Sequence, residues 1–144
     1  MNGGSSQAFW PPLFGAFAIA MVSSLAVLFV GEIMGQAPCN LCWFQRAFMF
    51  PLAVVLGIAA LRSDAGAWPY GIALAACGWL IAGFHTLVYT GIVPETIQPC
   101  TASGPSCSSS DMTVLGGLPL PMLSLVAFSA IIVLLLISRR RPTP

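Results

Sequence analysis

Residues 118–137 read LPLPMLSLVAFSAIIVLLLI, a stretch without a single charged side chain. About 20 apolar residues in a helix cross the hydrocarbon core of a bilayer, so this stretch predicts a transmembrane helix. Three further apolar runs, each free of Asp, Glu and Lys, have a similar length: 13–30, 43–61 and 67–89. We therefore expect the chain to cross the membrane four times.

The composition of the whole chain supports a location in lipid. Of the 144 residues, 58% are hydrophobic and 6% are charged, and the mean hydropathy is +0.92. A soluble domain carries about 25% charged residues. Four spans and their connections leave no room for a separate soluble catalytic domain, and a net charge of +1 is too small for a nucleic-acid surface. We predict an all-α membrane protein in which residues 1–144 form a single four-helix transmembrane domain.

The distribution of charge predicts the orientation. Arginines occur in the second connection and after the fourth run: Arg62, Arg139, Arg140 and Arg141. The first and third connections contain acidic residues and no arginine: Glu32, Glu95 and Asp111. Positive charge is retained on the cytoplasmic side of a membrane, so both termini are predicted to be cytoplasmic. The outer loops are then about 31–42 and 90–117.

Four of the five cysteines fall in or beside these outer loops, on the side of the membrane where disulfides form and persist. Cys39 and Cys42 form a C-x-x-C pair at the mouth of the second span, where the unpaired N–H groups and positive end of the helix favour a thiolate. Cys100 and Cys107 lie in a long loop rich in Ser, Gly and Pro, which is typical of a mobile or functional segment. Two cysteine pairs on one side of a membrane suggest a relay.

Two ionisable residues within the spans lie near the C-x-x-C pair. Arg46 follows Cys42 by one helical turn, so its charge is expected to favour the Cys42 thiolate. His85, the only histidine of the sequence, is about one turn from the outer end of the third span. Ionisable residues inside a membrane indicate functional sites, although a snorkelling arginine or a hydrogen-bonded interhelical histidine would be purely structural. Cys77, near the middle of the third span, is expected to be a small buried side chain.

The sequence resembles the DsbB family of disulfide-bond formation proteins, particularly the short Gram-positive type called BdbC. The resemblance covers essentially the whole chain. It rests on P-C-N-L-C-W-F-Q-R at 38–46, the later outer cysteine pair, F-H-T at 84–86 and L-P-L-P-M at 118–122. A C-x-x-C followed by Gln-Arg at the mouth of a span, with a later outer pair, is a specific pattern.

The resemblance implies a quinone-dependent thiol oxidase of a bacterial inner or plasma membrane. Such an enzyme reoxidises a soluble thioredoxin-fold partner of the DsbA kind and so supports disulfide formation in exported proteins; the DsbA–DsbB–quinone chain keeps the periplasm oxidising. By position, Cys100 would form the mixed disulfide with the partner. Cys107 would then pass electrons to Cys39, and Cys42 would reduce the quinone, either ubiquinone or menaquinone.

The same resemblance implies a quinone pocket next to Cys42. Arg46 would stabilise the quinone and the thiolate, and His85 would line the pocket. Two features differ from the Gram-negative members of the family. Position 45 is Gln where the enteric motif has Glu, and only six residues separate Cys100 from Cys107, where those members have a much longer stretch.

Three other interpretations compete with this one. A vitamin K epoxide reductase homologue is also a four-helix, quinone-linked thiol enzyme, but its loop pair precedes its C-x-x-C, and here the order is reversed. A non-enzymatic protein could bind zinc through the four outer cysteines, but an oxidising compartment and an arginine beside the ligands disfavour such a site. A channel or scaffold with stapled loops would leave Arg46, Pro51 and His85 unexplained.

Overall fold

The computed structural model describes residues 3–95, 106–108 and 113–139, most of which lie in four long helices. α1 spans Gly3–Leu28 and continues as a π-helical turn over Phe29–Ile33; α2 spans Asn40–Arg62, α3 Trp68–Tyr89 and α4 Leu120–Arg139. A 3₁₀ turn at Ala65–Ala67 joins α2 to α3. Within this part of the chain, four helical segments are long and apolar enough to cross a membrane. The predicted four-helix transmembrane fold is confirmed.

The helices run alternately up and down, and each packs against its neighbours in the chain, while α4 closes the ring against α1. The first connection, residues 34–39, and the third, which begins at Thr90, therefore lie at the same end of the bundle. We call this end the cysteine end and the opposite end, with the connection between α2 and α3, the far end. This arrangement brings the N-terminal end of α2 next to the C-terminal end of α3.

The turn at the far end is defined by local side chains. Ser63 adopts a left-handed backbone conformation with φ 52° and ends α2. The Asp64 carboxylate then accepts a hydrogen bond from the Gly66 N–H at 2.8 Å and so caps the 3₁₀ turn. Pro69 lies in the first turn of α3, where its missing N–H breaks no helical hydrogen bond. The short connection keeps α2 and α3 antiparallel.

A small β-hairpin precedes α4. β1, Thr113–Val114, pairs antiparallel with β2, Leu118–Pro119, and residues 115–117 between them all have positive φ. Gly116 and Gly117 adopt this conformation without steric cost. The sequence placed the fourth span at 118–137, whereas α4 begins at Leu120. Hydropathy does not distinguish an apolar strand residue from the first residue of an apolar helix, so the hairpin was not predicted.

Large side chains of α2 and α4 fill the centre of the bundle against small residues of α1 and α3. The fully buried large residues are Leu52, Leu56, Phe128, Ile131 and Leu135. Ala16, Ala20, Ala75 and Ala82 are fully buried as well. Small residues let transmembrane helices approach closely. The approach is closest where Gly78 of α3 faces the ring of Phe128, because a Cβ at this glycine would overlap the ring.

The outward surface of the bundle is apolar, as lipid contact requires. Residues that are more than half exposed include Val22, Leu25, Val54, Leu80, Val126 and Val133. At the far end, the Arg139 guanidinium lies 4.7 Å from the ring centroid of Trp68, typical of an interfacial belt. Cys77 is also exposed on this surface, so the prediction that it is buried is wrong. A helix that is apolar on all sides gives no periodic signal to separate its lipid face from its core face.

Gly78→Ala should lower the free energy of unfolding by about 1–3 kcal/mol, because overpacking a filled core forces neighbouring groups to shift. Phe128 is fully buried, and a Cβ at position 78 would overlap two atoms of its ring. The measurement is the thermal unfolding midpoint in detergent. Gly83→Ala is the matched control on the same helix, since its new Cβ would lie 3.9 Å from Leu125, an ordinary contact. Equal losses in the two variants would contradict the close approach at Gly78.

Candidate active site at the cysteine end

The C-x-x-C pair begins α2. Cys39 immediately precedes the first helical residue in an extended conformation, and its Sγ accepts a hydrogen bond from the backbone N–H of Cys42 at 3.4 Å. The two Sγ atoms lie 3.1 Å apart and share a hydrogen bond; both residues are free thiols. Cys39 is 1% exposed, while Cys42 is half-buried. The pair is thus reduced, with its first sulfur enclosed and its second closer to the surface.

The contacts at the start of α2 lower the pKa of the Cys39 thiol. The hydrogen bond with the Cys42 thiol, together with those from His85 and the Cys42 N–H, lowers the pKa of Cys39 to about 5 against the opposing effect of burial. The sequence had suggested that Arg46 favours a thiolate at Cys42. The hydrogen bonds of the structure favour a thiolate at Cys39, chiefly through the Cys42 side chain, with smaller contributions from His85 and from the Cys42 N–H at the start of the helix.

The sulfur of Cys107 lies close to the sulfur of Cys39 at the edge of the bundle. Cys107 is fully buried and disulfide-bonded. The Sγ atoms of Cys39 and Cys107 and a ring nitrogen of His85 all lie within 4.8 Å of one another. His85 Nε2 is 3.8 Å from Cys39 Sγ and 3.3 Å from the carbonyl oxygen of Cys107. The structure therefore brings together three of the predicted site residues; Cys100, the fourth predicted cysteine, lies outside the described residues.

The same three side chains carry donor atoms that could ligate a metal ion. The sulfur of Cys107 is engaged in a disulfide, however, and a thiolate is the form that binds zinc. In this oxidation state the cluster offers Cys39 and His85, two of the four ligands of a closed structural zinc site. The arrangement suits thiol–disulfide exchange better than metal binding.

Gln45 completes the contacts of the His85 ring. Its Nε2 lies 2.8 Å from His85 Nδ1, and both side chains are buried. Sequence reasoning did not find this contact. The available signal was spacing, because Gln45 falls midway between Leu41 and Met49 on the inward face of α2. A polar residue at an apolar position of an inward face requires an internal partner.

Arg46 turns toward α1. Its Nη2 donates a hydrogen bond to the carbonyl oxygen of Val27 at 2.9 Å, and its Cζ lies 5.5 Å from the ring centroid of Trp43. Gly31, in the π-helical turn, leaves room for the guanidinium, because a Cβ there would lie 3.1 Å from Nη2. These contacts hold a permanent positive charge near the cysteine end.

A cavity of about 1140 Å³ opens between α1, α2 and α4. Its walls are formed mostly by apolar side chains of α1, the connection to α2, α2, the β-hairpin and the first turns of α4, with His85 contributed by α3. Cys42, Gln45 and Arg46 line it from α2. Small-molecule sites measure about 300–1,000 Å³ and combine apolar walls with a few polar groups. The cavity is thus large enough for an organic cofactor placed against Cys42 and Arg46.

The segment that carries Cys107 is anchored to the finish of α3 by Glu95. The Glu95 Oε1 accepts a hydrogen bond from Ser106 Oγ at 2.6 Å, and the Ser108 N–H donates to the same Oγ at 3.2 Å. Hydrogen bonds from Ser106 and Ser108 hold the pKa of Glu95 below its usual range. Cys107 is therefore fixed from both sides, by the serines next to it and by the bond from His85 to its carbonyl.

Residues 9–138 match the family model of the disulfide bond formation protein DsbB. The chain belongs to the DsbB family. A probable disulfide formation protein of Metapseudomonas resinovorans is 54% identical over 144 residues, the full length of both chains. One of Deinococcus radiodurans is 39% identical over 139 residues, covering 91% of this chain and 90% of the relative.

Disulfide bond formation protein C of Bacillus subtilis is 35% identical to the chain over 121 residues, 84% of this chain and 87% of the relative. No solved structure matches the chain significantly. The predicted resemblance to the DsbB family is confirmed, and with it the assignment of a membrane protein that acts in disulfide formation.

In this DsbB-family protein, acidification should release the anchor at Glu95. Because the pKa of Glu95 is lower in the folded state, its contribution is present above the ordinary value of about 4.3 and is lost as the pH falls through the folded value. We expect amide exchange at residues 106–108, corrected for the intrinsic effect of pH, to rise below about pH 4. In Glu95→Ala it should already be fast at neutral pH.

Glu32→Ala, which removes a carboxylate from the other connection at the cysteine end, is the control and should exchange like the parent. Glu95→Gln keeps a carbonyl acceptor for Ser106 but does not titrate, so its exchange should not depend on pH after correction. Parental exchange in Glu95→Ala would show that the carboxylate does not hold the segment.

Proposed function

We propose that the protein is a quinone-dependent thiol oxidase that reoxidises a thioredoxin-fold partner of the DsbA kind. The observation that carries this proposal is the position of the Cys39 sulfur. It lies within 4.8 Å of the sulfur of Cys107, and it contacts Cys42, which lines the large cavity. One sulfur thus links a disulfide on the loop to a thiol beside a cofactor-sized space.

The proposed relay begins at Cys100. A thiolate of the partner attacks Cys100 and releases Cys107 as a thiolate, which attacks Cys39 of an oxidised Cys39–Cys42 pair. The Cys39–Cys107 bond forms, the Cys39–Cys42 bond breaks, and Cys42 leaves as a thiolate. The second cysteine of the partner then displaces Cys100, and the partner departs oxidised. Finally, Cys100 attacks Cys107, which restores the loop disulfide and leaves Cys39 and Cys42 reduced.

The arrangement of the sulfurs fits the last step of this sequence of exchanges. Cys107 is in a disulfide, and Cys39 and Cys42 are free thiols. The lowered pKa of Cys39 supports the final exchange, because a sulfur that is stable as a thiolate is a good leaving group. The His85 Nε2 contact to the Cys39 sulfur supports the same charge.

The cavity fits a membrane quinone in size and in donor set. When bound there, a ubiquinone or menaquinone accepts two electrons and two protons from the dithiol. Arg46 supplies a fixed cation and planar N–H donors on the cavity wall, and such a group favours negative charge on a nearby oxygen. The apolar residues of α1 and α4 suit a ring with a hydrocarbon tail. Cys42 is the sulfur of the pair that lines this wall.

The charge distribution supports a bacterial plasma-membrane orientation with the cysteine end outside. Arg62 and Arg139 lie at the far end, whereas Glu32 and Glu95 lie at the cysteine end. By the positive-inside rule the far end is cytoplasmic. The cysteines then face the compartment in which exported proteins acquire their disulfides.

Purified protein in detergent should reduce a short-chain ubiquinone or menaquinone only when a reduced DsbA-like donor is added, with one quinone consumed per donor disulfide formed. The measurement is quinone absorbance together with the donor thiol count. Cys42→Ser should abolish turnover, whereas Cys77→Ser on the lipid-facing surface should retain it. Donor oxidation that proceeds equally well without quinone would refute the proposal.

The role of Arg46 is resolved in the same assay. Arg46→Lys keeps the charge but loses the planar, forked donor, and the loss of a charge-assisted hydrogen bond costs about 1.5–3 kcal/mol. The quinone KM should therefore rise roughly ten- to hundredfold. Arg62→Lys at the far end is the matched control and should leave KM unchanged. Equal KM values in the parent and Arg46→Lys would assign Arg46 to anchoring alone.

The exchange between Cys39 and Cys107 has a separate test. In the double variant Cys42→Ser/Cys100→Ser neither Cys39 nor Cys107 keeps its own pair partner, so mild oxidation should join the two sulfurs directly in a Cys39–Cys107 disulfide. Non-reducing peptide mass spectrometry should detect the Cys39–Cys107 peptide as the main species. Cys77 serves as the internal control and should remain a free thiol. Absence of the Cys39–Cys107 peptide in folded protein would exclude direct exchange between these sulfurs.

A further inference from the structure

The contacts of His85 determine which ring nitrogen carries its proton. Nε2 lies 3.3 Å from the carbonyl oxygen of Cys107, and a carbonyl oxygen only accepts hydrogen bonds. Nε2 must therefore bear a hydrogen. A neutral imidazole has one N–H, so Nδ1 presents a lone pair and needs a donor. The Gln45 amide nitrogen, 2.8 Å from Nδ1, is that donor.

We propose that Gln45 is a positioning residue that holds His85 as the neutral Nε2–H tautomer, with its only N–H directed at Cys39 and Cys107. The amide nitrogen in this position excludes a hydrogen on Nδ1, since two N–H groups would then face each other. It thereby excludes the opposite tautomer. His85 presents its Nε2–H donor to the two cysteines.

The consequence for the sulfur chemistry follows from the geometry. Nε2 lies 3.8 Å from Cys39 Sγ, so its N–H supports negative charge on that sulfur. In the opposite tautomer a lone pair would face both the Cys107 carbonyl and a Cys39 thiolate, and both contacts would become repulsive. Gln45 thus acts on Cys39 through His85. The tautomer assignment stands on these contacts, whereas its role in electron transfer rests on the function proposed above.

Because the His85 and Gln45 side chains are both buried, their hydrogen bonds specify the tautomer of His85. His85 is 1% exposed and Gln45 is 8% exposed, so bulk water does not replace a lost partner for either side chain. A buried donor or acceptor without a partner is costly. The ring also contacts three different segments, α2 through Gln45, the residue before α2 through Cys39, and the loop through Cys107. Rotation of the ring would break all three contacts together.

The test is nitrogen NMR of the reduced protein labelled with ¹⁵N at the histidine ring. Because the sequence contains one histidine, both ring signals belong to His85 without assignment. The parent should show a protonated Nε2 and an unprotonated Nδ1 at neutral pH. Gln45→Glu replaces the donor by a carboxylate that only accepts, so the unprotonated Nδ1 signal should be lost and a protonated Nδ1 should appear.

Gln36→Glu is the matched control, because it makes the same chemical change on the wall of the same cavity. Its histidine signals should be parental. A protonated Nδ1 in the parent, or parental signals in folded Gln45→Glu, would overturn the proposal; the parent spectrum decides it even where a variant does not fold. Quinone reduction does not enter the measurement, so failure of the tautomer assignment and failure of the proposed function are distinguishable.

Discussion

A buried polar group inside a membrane protein must find its hydrogen-bond partners within the protein, because hydrocarbon offers none. This constraint organises the cysteine end. Among the described residues, no fully buried side-chain nitrogen or oxygen lacks a partner. His85 meets the requirement by contacting Gln45, Cys39 and the Cys107 carbonyl. The histidine that α3 buries is therefore also the group that joins the loop to the start of α2.

Two different groups can stabilise negative charge in the site, hydrogen-bond donors at Cys39 and the charge of Arg46 on the cavity wall. A backbone N–H and the His85 ring act on Cys39, at the entrance of α2. The permanent charge of Arg46 lies on the cavity wall, held by the Val27 carbonyl and the Trp43 ring. The separation matches the two exchanges proposed for the pair, one with a disulfide at Cys39 and one with an oxidant at Cys42. Each sulfur has an environment suited to the reaction proposed for it.

The sequence was sufficient for the parts of this structure that depend on composition and spacing. Runs such as 118–137 predicted the spans, and the C-x-x-C, Arg46 and His85 predicted where the site lies. Properties that depend on tertiary packing were not predictable from the sequence. The Cys39 sulfur receives the Cys42 N–H because Cys39 lies immediately before the helix. The lipid exposure of Cys77 depends on the rotation of α3 about its axis. The Gln45 contact is specified by packing between helices, since its partner is 40 positions away.

The anchoring of Cys107 has a consequence for selectivity among reductants. Its sulfur has no exposed surface, and it is held near Cys39 by contacts on either side. Two groups held together in this way react as though each were present at an effective concentration far above any attainable in solution. A small free thiol such as glutathione must compete with that neighbour and cannot reach the enclosed sulfur. The fold therefore shields the contact between Cys107 and Cys39 from small thiols in solution.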